Sequence, residues 1–133
     1  MKLIISIVRP EKLRDVRESL LEEKVHMLTV VDVRGCGQQK GHLEEYRGII
    51  EEVTLNRKVM FLIAVNESFV ERTIKAIVKG ARTNKKGSVG DGKIFVIDLF
   101  DAIRIRTGER GFAGIGGPSQ ELKSLNKIEK VEI

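Results

Sequence analysis

Tryptophan is absent from this 133-residue chain, which also holds one cysteine, two prolines, two histidines, one tyrosine and five phenylalanines. Each scarcity removes a class of protein. A single thiol cannot build an intrachain disulfide framework, and it fits a reducing compartment. Two histidines and one cysteine leave no ligand cluster of the zinc type. The apolar runs fall far short of the about 20 residues that a membrane-spanning helix needs. Met1-Lys2-Leu3-Ile4-Ile5-Ser6 leads straight into strand-like sequence without a signal-cleavage pattern, so a cytoplasmic location is expected.

What is present describes an ordinary folded domain. Hydrophobic residues make up 41% of the chain and charged residues 32%, which argues against disorder. The length is that of one domain, and at this size roughly two-thirds of the extended-chain surface becomes buried. Twenty-four Lys and Arg against 19 Asp and Glu give a net charge of +5. So modest and interspersed an excess suggests an anionic ligand as readily as a nucleic acid.

Leu3 to Val8 reads as a buried strand. Pro10 suits a first helical turn, and Leu13, Val16, Leu20 and Leu21 follow at helical spacing to about Lys24. Leu28 to Arg34 is β-branched and reads as a second strand. Gly35 to about Arg57 is polar and weakly patterned, a long loop of the kind that is usually functional. Val59 to Val65 is a third strand. Ser68 and Glu71 have capping-box spacing ahead of a helix marked by Val70, Ile74, Ile77 and Val78. A glycine- and lysine-rich loop, Ala81 to Gly92, precedes a fourth strand, Lys93 to Ile97, and a short fifth, Ala102 to Arg106. The order is β-α-β-β-α-β, the split βαβ pattern of an α+β ferredoxin-like fold. The stretch Ser119 to Ile133 is read as neither helix nor strand.

Three constellations could hold an anion. Gly87-Ser88-Val89-Gly90-Asp91-Gly92-Lys93 begins like a P-loop, but Ile94 follows in place of Ser or Thr, and a strand follows in place of a helix. What remains is a tight turn, Gly90-Asp91-Gly92-Lys93, with free backbone N–H groups beside a lysine; a plain turn with a solvated lysine is the competing reading. Gly35-Cys36-Gly37-Gln38-Gln39-Lys40-Gly41 fails the dinucleotide spacing but permits close backbone approach. In Arg104-Ile105-Arg106 a strand would place both guanidiniums on one face, where they repel unless an anion lies between them; a solvated edge strand is the alternative. His26, His42 and Cys36 fit no nucleophilic arrangement. Glu44-Glu45 and Glu51-Glu52 read as a solvated loop or a contact surface.

These signals, in this order, resemble the PII signal-transduction family of nitrogen and carbon sensing. The resemblance runs from Lys2 to about Glu109. It is carried by Arg9-Pro10-Glu11-Lys12-Leu13, by Val33-Arg34-Gly35-Cys36-Gly37-Gln38-Gln39-Lys40-Gly41-His42, and by Tyr46-Arg47-Gly48. Further on it is carried by Gly90-Asp91-Gly92-Lys93-Ile94-Phe95-Val96 and Ile103-Arg104-Ile105-Arg106-Thr107-Gly108-Glu109. The resemblance implies a domain over 1–109, a homotrimer, ATP or ADP between neighbouring subunits, and a target-contacting T-loop over about 38–57. It implies phosphate contacts from Gly37, Gly90, Gly92, Lys93, Arg104 and Arg106, with Gln38 and Asp91 also in the nucleotide site and Thr29 and Ala64 near the adenine. Gln39 would bind Mg²⁺ beside the ATP phosphates. Gln39, Lys40, Gly41 and Lys58 would receive 2-oxoglutarate. Targets in the family include an ammonium transporter, glutamine synthetase and nitrogenase, and no enzymatic activity is implied.

Departures from the family pattern are local. Asn84 to Val89 holds about three extra residues before the glycine turn. Gln38 stands where many members have arginine, and Cys36 replaces a common aromatic. Glu51 occupies the place of the tyrosine that many bacterial members uridylylate, so that modification is not expected. Residues 110–133 form an extension with no assignable counterpart. Other readings stay open at this point: a PII-like nucleotide sensor without a 2-oxoglutarate response, an RNA-binding ferredoxin-like domain, for which the aromatics are few, and a nucleotide hydrolase, for which no water-positioning base is evident.

Overall fold

The computed structural model describes residues 1–37, 54–116 and 130–132, together with the backbone pairing of 45–46 with 49–50. Period-two burial builds its centre. In β1 (Lys2–Val8) the side chains of Ile4, Ser6 and Val8 are buried, and in β5 (Asn56–Val65) those of Val59, Phe61, Ile63 and Val65. Two amphipathic helices cover this face. A 3₁₀ turn at Pro10–Lys12 leads into α1 (Leu13–Glu22), which contributes Val16 and Leu20. Helix α2 (Glu67–Ala81) contributes Phe69, Val70, Ala76, Ile77 and Ala81. The helices pack closely because Gly80 has no side chain: a Cβ there would lie 2.6 Å from the Val16 Cα.

Strands β2 (Thr29–Gly35) and β6 (Gly92–Asp98) complete an antiparallel sheet in the order β2-β5-β1-β6. β3 (Glu45–Tyr46) and β4 (Ile49–Ile50) form a separate small ladder between β2 and β5. This is the expected ferredoxin-like α+β architecture. Directly opposed residues of antiparallel strands share a face. Register therefore sets Ile5 beside Leu62 and Phe95, Leu3 beside Ala64 and Ile97, and Val31 beside Met60, all away from the helices. An antiparallel sheet with one solvated face normally shows polar side chains there. Here that face is apolar, and among the described residues no layer covers it; Phe95 and Ile97 are nearly half exposed.

The chain departs from the sequence expectations in three places. Ala102 to Arg106 is not a strand: Ile103 makes an isolated bridge to Arg110, and residues 105–107 turn. Gly108, at φ +73°, reverses the chain, so turn chemistry overrides the β-branched isoleucines. Helix α2 starts at Glu67 with extended Asn66 in the N-cap position. Ser68 therefore already lies inside the first turn and the capping box does not form there. Finally, β5 reaches back to Asn56, and β3 and β4 pair within the segment read as loop. Beyond Glu109, α3 (Gly111–Ile115) packs its Gly114 against Ala102, and Lys130 pairs with Glu109.

Candidate anion-binding site

The glycine turn lies where β6 begins. Gly92 is paired with Val8 at φ +118°, and a Cβ there would fall 1.9 Å from the Ile7 carbonyl oxygen, so only glycine fits. Gly90 also has positive φ, +96°. The loop before them is tied down by Asp91. Its carboxylate accepts from the Thr83 hydroxyl at 2.6 Å, the Thr83 N–H at 3.0 Å, the Ser88 N–H at 2.8 Å and Arg9 Nε at 3.3 Å. Burial alone would raise the Asp91 pKa. The Thr83 hydroxyl, the Ser88 and Thr83 amides and the Arg9 guanidinium outweigh it and hold the carboxyl well below the usual range. Arg9 also donates from Nη2 to the Val89 carbonyl at 2.7 Å, and Lys58 donates from Nζ to the Gly90 carbonyl at 3.1 Å.

Asp91 is thereby a loop organiser. Its oxygens face protein donors, and its charge would repel a phosphate; the backbone N–H groups and Lys93 are what this corner offers an anion. Arg9, Thr83 and Ser88 were not singled out as site residues from sequence. Their roles depend on contacts across as many as 82 positions, which no local pattern carries.

The arginines lie elsewhere. Arg104 Nη1 is 3.8 Å from Glu109 Oε1, and its guanidinium packs over Gly116. Arg106 projects from the exposed turn, where Ile105 is 94% exposed. Arg104 borders a cavity of about 460 Å³ with His26, Met27, Ala64 and Ile115. A neighbouring cavity of about 540 Å³ has Thr29, Leu62, Ala64 and Ala102 in its wall. The two residues expected near an adenine thus share a region with Arg104.

Sheet register separates the two sets. Gly92 pairs with Val8 at one end of β1, and Asp98 with Lys2 at the other. Six residue steps at about 3.3 Å place those ends about 20 Å apart. Gly37 (just beyond β2), Lys58, Gly90, Asp91, Gly92 and Lys93 lie toward the first end; Thr29, Ala64 and Arg104 lie toward the second, with Arg106 two residues beyond Arg104 on the exposed turn. The alternating-strand argument for the arginines does not hold, since they sit on a turn. Gln38, Gln39, Lys40, Gly41 and Glu51 lie outside the described residues. Among the described residues no group of three His, Cys, Asp or Glu side chains could hold a metal ion, and no helix is long and apolar enough to cross a membrane.

Fold and site together define a ferredoxin-like domain with a glycine turn at one end of its sheet and Arg104 toward the other. The family model for nitrogen regulatory protein P-II matches residues 1–109. The chain is 50% identical over 111 residues to nitrogen regulatory protein P-II 1 of Methanothermobacter thermautotrophicus, covering 84% of this chain and 94% of that one. It is 46% identical over 115 residues to nitrogen regulatory protein P-II 1 of Escherichia coli, covering 86% of this chain and all of that one. Among solved structures, Arabidopsis thaliana PII bound to citrate superimposes with a TM-score of 0.67 at 36% identity, covering 86% and 88% of the two chains. The chain belongs to the nitrogen regulatory protein P-II family, a family of signalling proteins rather than enzymes.

Proposed function

We propose that this chain is a cytoplasmic PII-type sensor that assembles as a homotrimer and binds ATP or ADP between neighbouring copies. With MgATP it also binds 2-oxoglutarate, and it acts on target proteins of nitrogen metabolism through residues 38–57. The observation that carries this reading is the separation of the two half-sites by the length of the sheet. Lys93 and Arg104 of one chain lie toward opposite ends of the sheet, so a polyphosphate seated on the glycine turn would take its arginines from a second copy. If the second copy's arginine turn meets the first copy's glycine turn, three cations converge on a triphosphate near −4. The uncovered apolar sheet face supports association of identical chains, and the citrate bound to the Arabidopsis relative supports an anionic ligand.

The donor set fits magnesium only as an ion shared with the phosphates. Asp91 is fully engaged, so Gln39 and phosphate oxygens would hold the metal, which would screen the charge between triphosphate and dicarboxylate. Lys58, now on the Gly90 carbonyl, is the cation expected to take a carboxylate of 2-oxoglutarate.

Calorimetry tests the reading: 2-oxoglutarate is titrated into protein with MgATP, then with MgADP. Binding that needs ATP, and is lost in Gln39→Ala and in Lys58→Ala, is the expected result. Arg104→Ala and Arg106→Ala should each weaken ATP by about 1.5–3 kcal/mol, the range for bonds to charged groups. Unchanged affinity in both would refute their role, and ATP binding without any 2-oxoglutarate response would favour the nucleotide-only sensor.

A further inference from the structure

We propose that the C-terminal segment at Lys130 and Val131 positions the arginine turn for its anion. The proposal rests on the reading that Arg104 and Arg106 grip a polyphosphate. The turn is held on one side by its own hairpin: Arg104 N–H donates to the Glu109 carbonyl at 2.9 Å, and Gly108 N–H to the Arg104 carbonyl at 2.7 Å. On its other side Val131 N–H donates to the Gly108 carbonyl at 2.6 Å, and Lys130 pairs antiparallel with Glu109. Ile103 bridges Arg110 in the first pair. Bridges and backbone hydrogen bonds thus link residues 103–104, 108–110 and 130–131 side by side, with the arginine turn at one end.

Two physical points give this contact weight. A short two-stranded hairpin is marginal in water, and a third segment supplies what it lacks. The contact also constrains the turn: a Cβ on Gly108 would lie 2.6 Å from the Val131 carbonyl oxygen, and its φ of +73° already favours glycine. The tail and the turn therefore fit only as they stand. An arginine on an ordered turn loses less conformational freedom when it meets its ligand, which is preorganisation.

The tail is an addition of this chain. The family-model match ends at residue 109, and 115 residues of this chain suffice to cover the whole Escherichia coli relative. Residues 130–131 lie beyond the family-model match, so the positioning role would be particular to chains that carry the extension. Glu109, central in the three segments, also faces Arg104 across 3.8 Å. Pairing with Lys130 thus fixes both the backbone of the turn and the acidic partner of one of its arginines.

The test uses the full-length chain, Val131→Pro, Val131→Ala and a chain ending at Asn126. Proline removes the N–H donor and keeps the length, whereas alanine keeps the donor. Two quantities are read: hydrogen exchange of the 103–110 peptide, and affinity for ATP and for inorganic triphosphate. Val131→Pro and the shortened chain should exchange at least about ten-fold faster across 103–110 and bind triphosphate about three- to ten-fold more weakly, with Val131→Ala near the parent. In the shortened chain Arg106→Ala should also lose less affinity than in the full chain, because the tail acts through that side chain. Unchanged exchange overturns the pairing. Faster exchange with unchanged affinity overturns the positioning role. Should the full-length chain bind neither ATP nor triphosphate, the nucleotide reading itself falls, an outcome distinct from variants that bind as well as their parent.

Discussion

Asp91→Asn tests the organisation of the glycine turn with little change of shape. The carboxylate accepts four hydrogen bonds, and its side chain is 18% exposed. Asparagine keeps one acceptor oxygen but turns an NH₂ toward protein donors and removes the charge facing Arg9. Bonds to a charged group are worth about 1.5–3 kcal/mol each and do not add fully, so a loss of about 2–3 kcal/mol at pH 7 is expected. With a urea slope of about 2 kcal/mol/M that moves the unfolding midpoint down by about 1–1.5 M. The sign of the pH dependence follows from a lowered folded-state pKa. The stabilisation is fully present above the unfolded carboxyl value of 3.8 and is lost as pH falls below it toward the folded value. The parent and variant curves should therefore lie apart at pH 5–7 and approach one another below about pH 4, by up to about 1.4 kcal/mol per pH unit. Other carboxylates titrate in both proteins and cancel in the difference. The measurement is urea unfolding at fixed protein concentration across pH 2.5–7. A gap that is absent at pH 7, or constant down to pH 2.5, would refute the assignment.

Gly80→Ala places a Cβ 2.6 Å from the Val16 Cα and 2.8 Å from the Asp15 carbonyl oxygen; overpacking of about 1–3 kcal/mol exceeds a helix-propensity gain of about 1 kcal/mol, so thermal unfolding should show a lower Tm. The Ser6 hydroxyl is fully buried without a hydrogen-bond partner among the described residues, and Ser6→Ala should raise stability by about 0.5–1 kcal/mol in denaturant titration. Ile5→Glu sets a charge at the centre of the uncovered sheet face, between Leu62 and Phe95; sedimentation equilibrium should show a folded chain that no longer self-associates, and an unchanged assembly would move the interface elsewhere.

Much of the fold was legible because each strand and helix carried its own period. The run Val59 to Val65 is apolar at every position but alternates in burial here, with Phe61 and Ile63 under the helices and Met60 and Leu62 on the open face. A continuous apolar run is the pattern of a strand covered on both sides, so the sequence already contained a hint of a second covering layer. The fifth strand failed because Ile103 and Ile105 outvoted Thr107-Gly108 in a local reading, whereas the chain obeys the glycine. The knot around Asp91 was illegible for a different reason. Asp91 is an ordinary turn residue by sequence, and only the end of β1 brings Arg9 to it.

The placement of the half-sites was beyond any local reading, because it is set by register alone. Gly92 opposite Val8 and Leu3 opposite Ala64 send the glycine turn and the residues expected near an adenine to opposite ends of one sheet. A site divided in this way has a thermodynamic consequence. A ligand that touches two copies binds the assembly and not the lone chain, so nucleotide and association stabilise one another by the same free energy. The exposed turn carrying Arg104 and Arg106 and the tight turn ending in Gly92 are then complementary parts. The first is an exposed turn, and the second offers a backbone conformation that a single added methyl group would destroy. In the proposed sensor a polyphosphate would close the seam between these two parts, at the end of the sheet where the chain leaves β2 toward β5.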